Sequence, residues 1–117
     1  MAIHTLSIDV ETFSDVDLKK CGVYKYASSP NFEILLFGVS VNGGKVTVYD
    51  LASGDTVPED IIRALSDNSV IKWAYNASFE RVCLSVWLRR NYPQYFSSYS
   101  IEDDTVRNYL DPSSWRC

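Results

Sequence analysis

The stretch from Glu33 to Asp50 constrains the fold most. A nearly continuous apolar run over Glu33–Val41 and a shorter alternating run over Lys45–Asp50 flank Asn42-Gly43-Gly44. Asn and Gly accept the positive φ of a tight hairpin turn, so the segment predicts two antiparallel strands. Upstream, Leu6, Ile8 and Val10 alternate with Thr5, Ser7 and Asp9 over His4–Val10, the period of a strand with two unlike faces. Downstream, Val70–Tyr75 reads as a buried strand that runs directly, at Asn76, into a helix over Ala77–Arg90, where Phe79, Val82, Cys83, Val86 and Trp87 recur at helical spacing.

Between these lies a shorter amphipathic helix. Thr56 and Glu59 stand at capping-box spacing before Ile61, Ile62 and Leu65, with Pro58 in the first turn. Thr12–Asn31 has no sustained period and reads as a long loop with at most a short helical turn; a last helix is expected over Glu102–Leu110, capped by Ser100 and stopped by Asp111-Pro112. The order strand, hairpin, helix, strand, helix gives an α/β fold in one domain, a mixed sheet with helices packed on it.

Composition sets the functional limits. With 117 residues, 46% of them apolar, the chain supports one core, and its net charge of −4 disfavours a broad basic field for nucleic acid. Nucleic-acid contact must therefore be local, and carboxylates that hold divalent cations are compatible with the acidic balance. Cys21, Cys83 and Cys117 lack C-x-x-C spacing, so reduced thiols in a cytoplasmic protein are the simplest expectation. No signal-peptide pattern and no apolar run of the ~18 residues that a membrane span needs is present. Trp73 and Trp87 are expected in the core, Cys83 is expected to be buried and inert, and His4 structural or exposed.

Asp9 and Glu11 stand two apart on the first strand, so the pleat points both carboxylates to one face. Side by side they repel, and a hard cation such as magnesium or manganese stabilises such a pair. Alone, D-x-E more often marks a solvated strand end. The second segment, Asn76-Ala77-Ser78-Phe79-Glu80, has its own structural explanation: Asn76 caps the helix and Glu80 complements the dipole. Both segments nevertheless fall at the C-terminal ends of strands, where open α/β sheets place their ligands.

At these residues the chain resembles a known family. Asp9-Val10-Glu11-Thr12 is similar to the first motif of the four-acid (DEDD) 3′→5′ exonucleases, and Asn76–Glu80 to their second. More closely, Ser7–Ser14, Asp17–Tyr26, Phe32–Gly38 and Ser114-Trp115-Arg116-Cys117 resemble the N-terminus of phage and prophage family A DNA polymerases. The resemblance implies a ribonuclease H-like fold, cut short at its C-terminal side, and two-metal hydrolysis of phosphodiester bonds at a DNA 3′ end with Mg²⁺ or Mn²⁺. It implies that Asp9, Glu11 and Glu80 ligate metal, and that Thr12, Phe13, Asn76 and Phe79 shape the substrate channel.

Two departures accompany it. Glu80 stands where the family usually has Asp, and the third motif, with its Tyr or His and final Asp, has no counterpart before Cys117. Asp103-Asp104 reads as a helix N-terminus rather than a substitute. The alternative expectation is therefore an inactive fragment that binds or self-associates through apolar surface left by the missing C-terminal elements, along a sheet edge or under the absent helix. An RNA-trimming relative would share the same acids. Lys19, Lys20 and Lys25, interleaved with Tyr24 and Tyr26, offer a weaker signal for phosphate contact and base stacking.

Overall fold

The predicted hairpin forms one half of the sheet. In a computed structural model, which describes residues 2–96 and 109–117, the strands are β1 (Thr5–Phe13), β2 (Glu33–Val41), β3 (Val46–Asp50), β4 (Ile71–Ala74) and β5 (Trp115–Arg116). They lie in the order β3-β2-β1-β4-β5. β1, β2 and β3 are antiparallel neighbours, while β4 pairs parallel to β1 and β5 parallel to β4. This mixed α/β sheet is consistent with the ribonuclease H-like arrangement expected. Asn42 (φ 52°) and Gly43 (φ 73°) make the turn. The Asn42 side-chain oxygen also accepts from the backbone N–H of His4 at 2.7 Å and Thr5 at 3.0 Å, so one residue closes the hairpin and fixes the start of β1.

The alternation in β1 is realised as read: Leu6, Ile8 and Val10 are buried, and Ser7, Asp9 and Glu11 are exposed. Opposite Val10, Phe37 stacks on Trp87 at 6.3 Å, which places helix α3 (Ala77–Asn91) over the buried face. The helix contributes Val82, Leu84, Val86 and Leu88 to the core, and helix α2 (Glu59–Leu65) contributes Ile61, Ile62 and Leu65. Each such side chain stabilises the fold by roughly 1.5–3 kcal/mol relative to exposure.

Several expectations are corrected. The stretch read as a loop contains helix α1 (Leu18–Ser28), interrupted at Gly22 (φ 82°, ψ 168°). Its sequence carries no continuous apolar stripe because only Ala27 is buried, with Val23 and Tyr26 partly buried against the core, and its ends are fixed as well. The Asp17 carboxylate accepts from the N–H groups of Lys19 and Lys20, and the Arg90 guanidinium donates to the carbonyls of Ser28, Ser29 and Phe32. α2 does not use a Thr56 capping box: its cap position is Pro58, whose side chain makes no capping bond. Trp73 is 46% exposed rather than in the core, because Lys72 and Ala74 take the inward positions of β4. β1 runs three residues further than the alternation predicts, to Phe13.

On edge strand β3, at the opposite end of the sheet from β5, Val46 and Val48 are 61% and 57% exposed. The helix predicted over 102–110, and with it Asp103-Asp104, falls largely outside the described residues. Among the described residues no helix is long and apolar enough to cross a membrane.

Candidate active site

Asp9 and Glu11 share the open face of β1. Directly across from Asp9 on β2 stands Gly38, so no neighbouring side chain crowds that carboxylate from this strand. Glu11 faces Leu36, but Thr12 faces Ile34, so Leu35 is an extra residue that breaks the register just past the acids. Bulges of this kind bend a strand and re-aim its side chains.

The parallel ladder between β1 and β4 extends to Ile8 opposite Ala74. Asp9 is thus the next residue beyond the ladder on one strand, while the other strand continues through Tyr75 and Asn76 into α3. Asn76 caps the helix as predicted, its side-chain oxygen accepting from the Phe79 N–H at 3.4 Å. Cys117 Sγ accepts from the Ala77 N–H at 3.4 Å, a second cap that the sequence did not signal.

Glu80, in the first turn, is buried at 5% exposure, and its Oε2 is one of three buried side-chain polar atoms without a hydrogen-bond partner among the described residues. Burial pushes its carboxyl up to about 7, and the charge of Asp9 pushes the same way, against the pull of the backbone N–H groups. Asp9 and Glu80, far apart in sequence, thus lie within electrostatic range of each other. It does not gather all three acids: among the described residues no three acidic, histidine or cysteine side chains lie close enough to hold a metal ion together.

A buried carboxylate oxygen without a donor, in the field of a second carboxylate, is an environment that a hard cation can relieve. Asp9 and Glu80 fit Mg²⁺ or Mn²⁺ on that observation and on their all-oxygen chemistry. Glu11 shares Asp9's face without completing a set.

The remaining expected residues flank this pair. Thr12 Oγ1 lies 2.8 Å from the Tyr26 hydroxyl, and the Tyr26 ring is 6.0 Å from that of Phe79. Tyr26 thus touches both motif segments, a role hidden in the sequence by the unrecognised helix that carries it. Phe13 and Tyr24 are each 50% exposed, and Lys19, Lys20 and Lys25 are exposed on α1. Arg81 donates to the Leu110 carbonyl at 2.9 Å and reaches the Tyr24 hydroxyl at 3.5 Å. His4 is exposed. Burial pushes the Cys83 thiol up to about 12, with Glu80 adding to it, which makes this cysteine unreactive.

A DNA polymerase of Bacillus phage SP02 is 56% identical to the chain over 81 residues. The chain contains a region related to phage DNA polymerases. The shared stretch is 69% of this chain but only 12% of that polymerase, so the chain spans a small part of its relative's length. Neither a family model nor a solved structure matches the chain.

Proposed function

We propose that the chain is a metal-dependent 3′→5′ exonuclease region of a phage-type DNA polymerase, acting at DNA 3′ ends in proofreading. The observation that carries this reading is the buried Glu80 carboxylate, one of whose oxygens has no hydrogen-bond partner among the described residues and which feels the charge of Asp9, in a chain related to a polymerase. Asp9 and Glu80 supply carboxylate oxygens for the cation, with Glu11 as the third acid on the face of Asp9. Bound Mg²⁺ or Mn²⁺ supplies a water of lowered pKa and offsets charge on the phosphate. Gly38 leaves the approach to Asp9 open from β2. Phe13 offers a half-exposed ring to a terminal base, Asn76 and Phe79 set the start of α3, and Thr12, next in sequence to Glu11, offers a hydroxyl that also bonds Tyr26.

The test incubates the 117-residue chain with end-labelled single-stranded DNA and Mn²⁺, alongside Asp9→Ala. A ladder of shortened products that the variant lacks is expected; no ladder in the parent, or equal ladders, overturns the catalytic reading. A parallel lane with RNA of the same sequence separates the two substrate classes.

The second reading is a module that binds or self-associates without hydrolysis. The incomplete gathering of the three acids and the exposed Val46 and Val48 on edge strand β3 favour it. Its signature is a concentration-dependent increase in mass by light scattering with no product ladder.

A further inference from the structure

We infer that Tyr26 is a positioning residue that orients the Thr12 hydroxyl toward an acceptor oxygen of the terminal nucleotide; this inference rests on the exonuclease reading. Tyr26 belongs to neither motif, yet it is the side chain on which the two motif segments meet. Its hydroxyl lies 2.8 Å from Thr12 Oγ1, immediately past the register break that follows Glu11. Its ring packs against Phe79 at 6.0 Å and Phe32 at 5.9 Å, which fixes the direction of the phenol. Its own carbonyl accepts from Ser14 Oγ at 2.8 Å, so backbone and side chain both hold β1's end.

The chemistry of the pair gives the bond a direction. A phenol is far more acidic than an aliphatic alcohol and is the better donor, whereas a hydroxyl that accepts one hydrogen bond still has its own proton to give. With Tyr26 donating, the Thr12 proton is directed away from the tyrosine. A phosphate or sugar oxygen is the complementary acceptor. A hydrogen bond from an oriented hydroxyl improves ground-state binding more than it changes the chemical step, so its loss is read mainly in KM.

The experiment compares the parent, Tyr26→Phe, Thr12→Val and the double variant. Tyr26→Phe keeps the ring packing on Phe79 and Phe32, so folding is preserved and is checked by thermal melting. Two readouts are taken: KM and kcat for Mn²⁺-dependent shortening of a single-stranded oligodeoxynucleotide, and fluorescence anisotropy of the labelled oligodeoxynucleotide in EDTA.

Each single variant is expected to raise KM and the dissociation constant about 3–10-fold with kcat within about twofold, and the double variant to lose no more than either single. Unchanged KM and binding in Tyr26→Phe, or strictly additive losses in the double variant, overturn the inference. If the parent binds the oligonucleotide in a Tyr26-dependent way but cuts nothing, the exonuclease reading falls and the positioning role stands. If the parent cuts and Tyr26→Phe cuts with the same KM, the reverse holds. A parent that does not bind the oligonucleotide at all overturns the inference.

Discussion

Lys72 and Glu80 lie eight residues apart in sequence, both buried and both titratable, and the fold treats them oppositely. Lys72, on β4, donates to the Asp67 carbonyl at 2.6 Å and to Ser114 Oγ at 3.1 Å, while Asp67 and Asp111 favour its charge. Burial still pulls it down to about 8. Glu80 has a buried oxygen with no donor among the described residues and feels the charge of another acid, Asp9. A buried charge with fixed partners is an internal joint, here between β4 and the turn before β5. A buried carboxyl with an unmatched oxygen is a place where a proton is held or a complementary group is taken up.

The largest expected effect separates the two directly. Lys72→Ala leaves a cavity and removes the partner of two acceptors, and should cost about 3 kcal/mol in urea unfolding at pH 7. The folded pKa of Lys72 lies below its ordinary 10.5, so the native state binds fewer protons than the unfolded chain between about 8 and 10.5. Stability contributed by this group therefore rises with pH through that window. That rise should disappear in the variant, and an unaltered rise would remove Lys72 from the account.

Glu80→Gln should act with the opposite sign. The folded pKa is about 7 against an ordinary 4.5, so the native state binds more protons than the unfolded chain in that interval. The parent therefore loses stability as pH climbs from 4.5 toward 7. In EDTA the variant should gain about 2 kcal/mol over the parent at pH 8 and almost nothing at pH 4.5. Equal stability at both pH values would show that the carboxylate is not strained by its surroundings.

A smaller effect tests what relieves Glu80. Saturating Mn²⁺ should stabilise the parent by about 1–2 kcal/mol in thermal melts and leave Asp9→Ala and Glu80→Gln unmoved. Smallest of all, Ser114→Ala should cost about 1 kcal/mol and lower the Lys72 pKa further, measurable by NMR of the ammonium. An unshifted Lys72 would mean that Ser114 adds nothing to the hold of the Asp67 carbonyl and of the Asp67 and Asp111 charges.

The sequence made the sheet readable wherever local periodicity and burial agree. β1 alternates because one face is buried; the hairpin is written in Asn42 and Gly43; α3 has a stripe because it covers the sheet. It failed where stability comes from single long-range bonds. α1 is invisible to periodicity because scattered contacts, Ala27, Val23 and Tyr26 on the core and three carbonyl contacts from Arg90 at its end, dock it in place of a continuous apolar stripe. Trp73 misled because large apolar residues are presumed inward, and the inward place on β4 went to a lysine whose partners lie elsewhere in the chain.

Of the site, the carboxylates Asp9 and Glu11 were legible from the pleat and Asn76 from its capping chemistry. The electrostatic approach of Asp9 to Glu80 needed the parallel pairing of β1 and β4, which no local pattern encodes. Tyr26 was seen only as one of several tyrosines among lysines. Its partners, Thr12 and Phe79, lie in two different elements.

Arg90 is ten residues beyond Glu80 on α3, about 15 Å along the axis at 1.5 Å per residue. The same rod thus carries an acid at one end and, at the other, the anchor for the segment that bears Tyr26. Wear at the far end should be felt at the near one. An exchange of Arg90, though remote from every carboxylate in the site, would free the end of α1 and let the tyrosine drift, so the helix serves as the gauge that keeps two separately folded pieces at a fixed spacing.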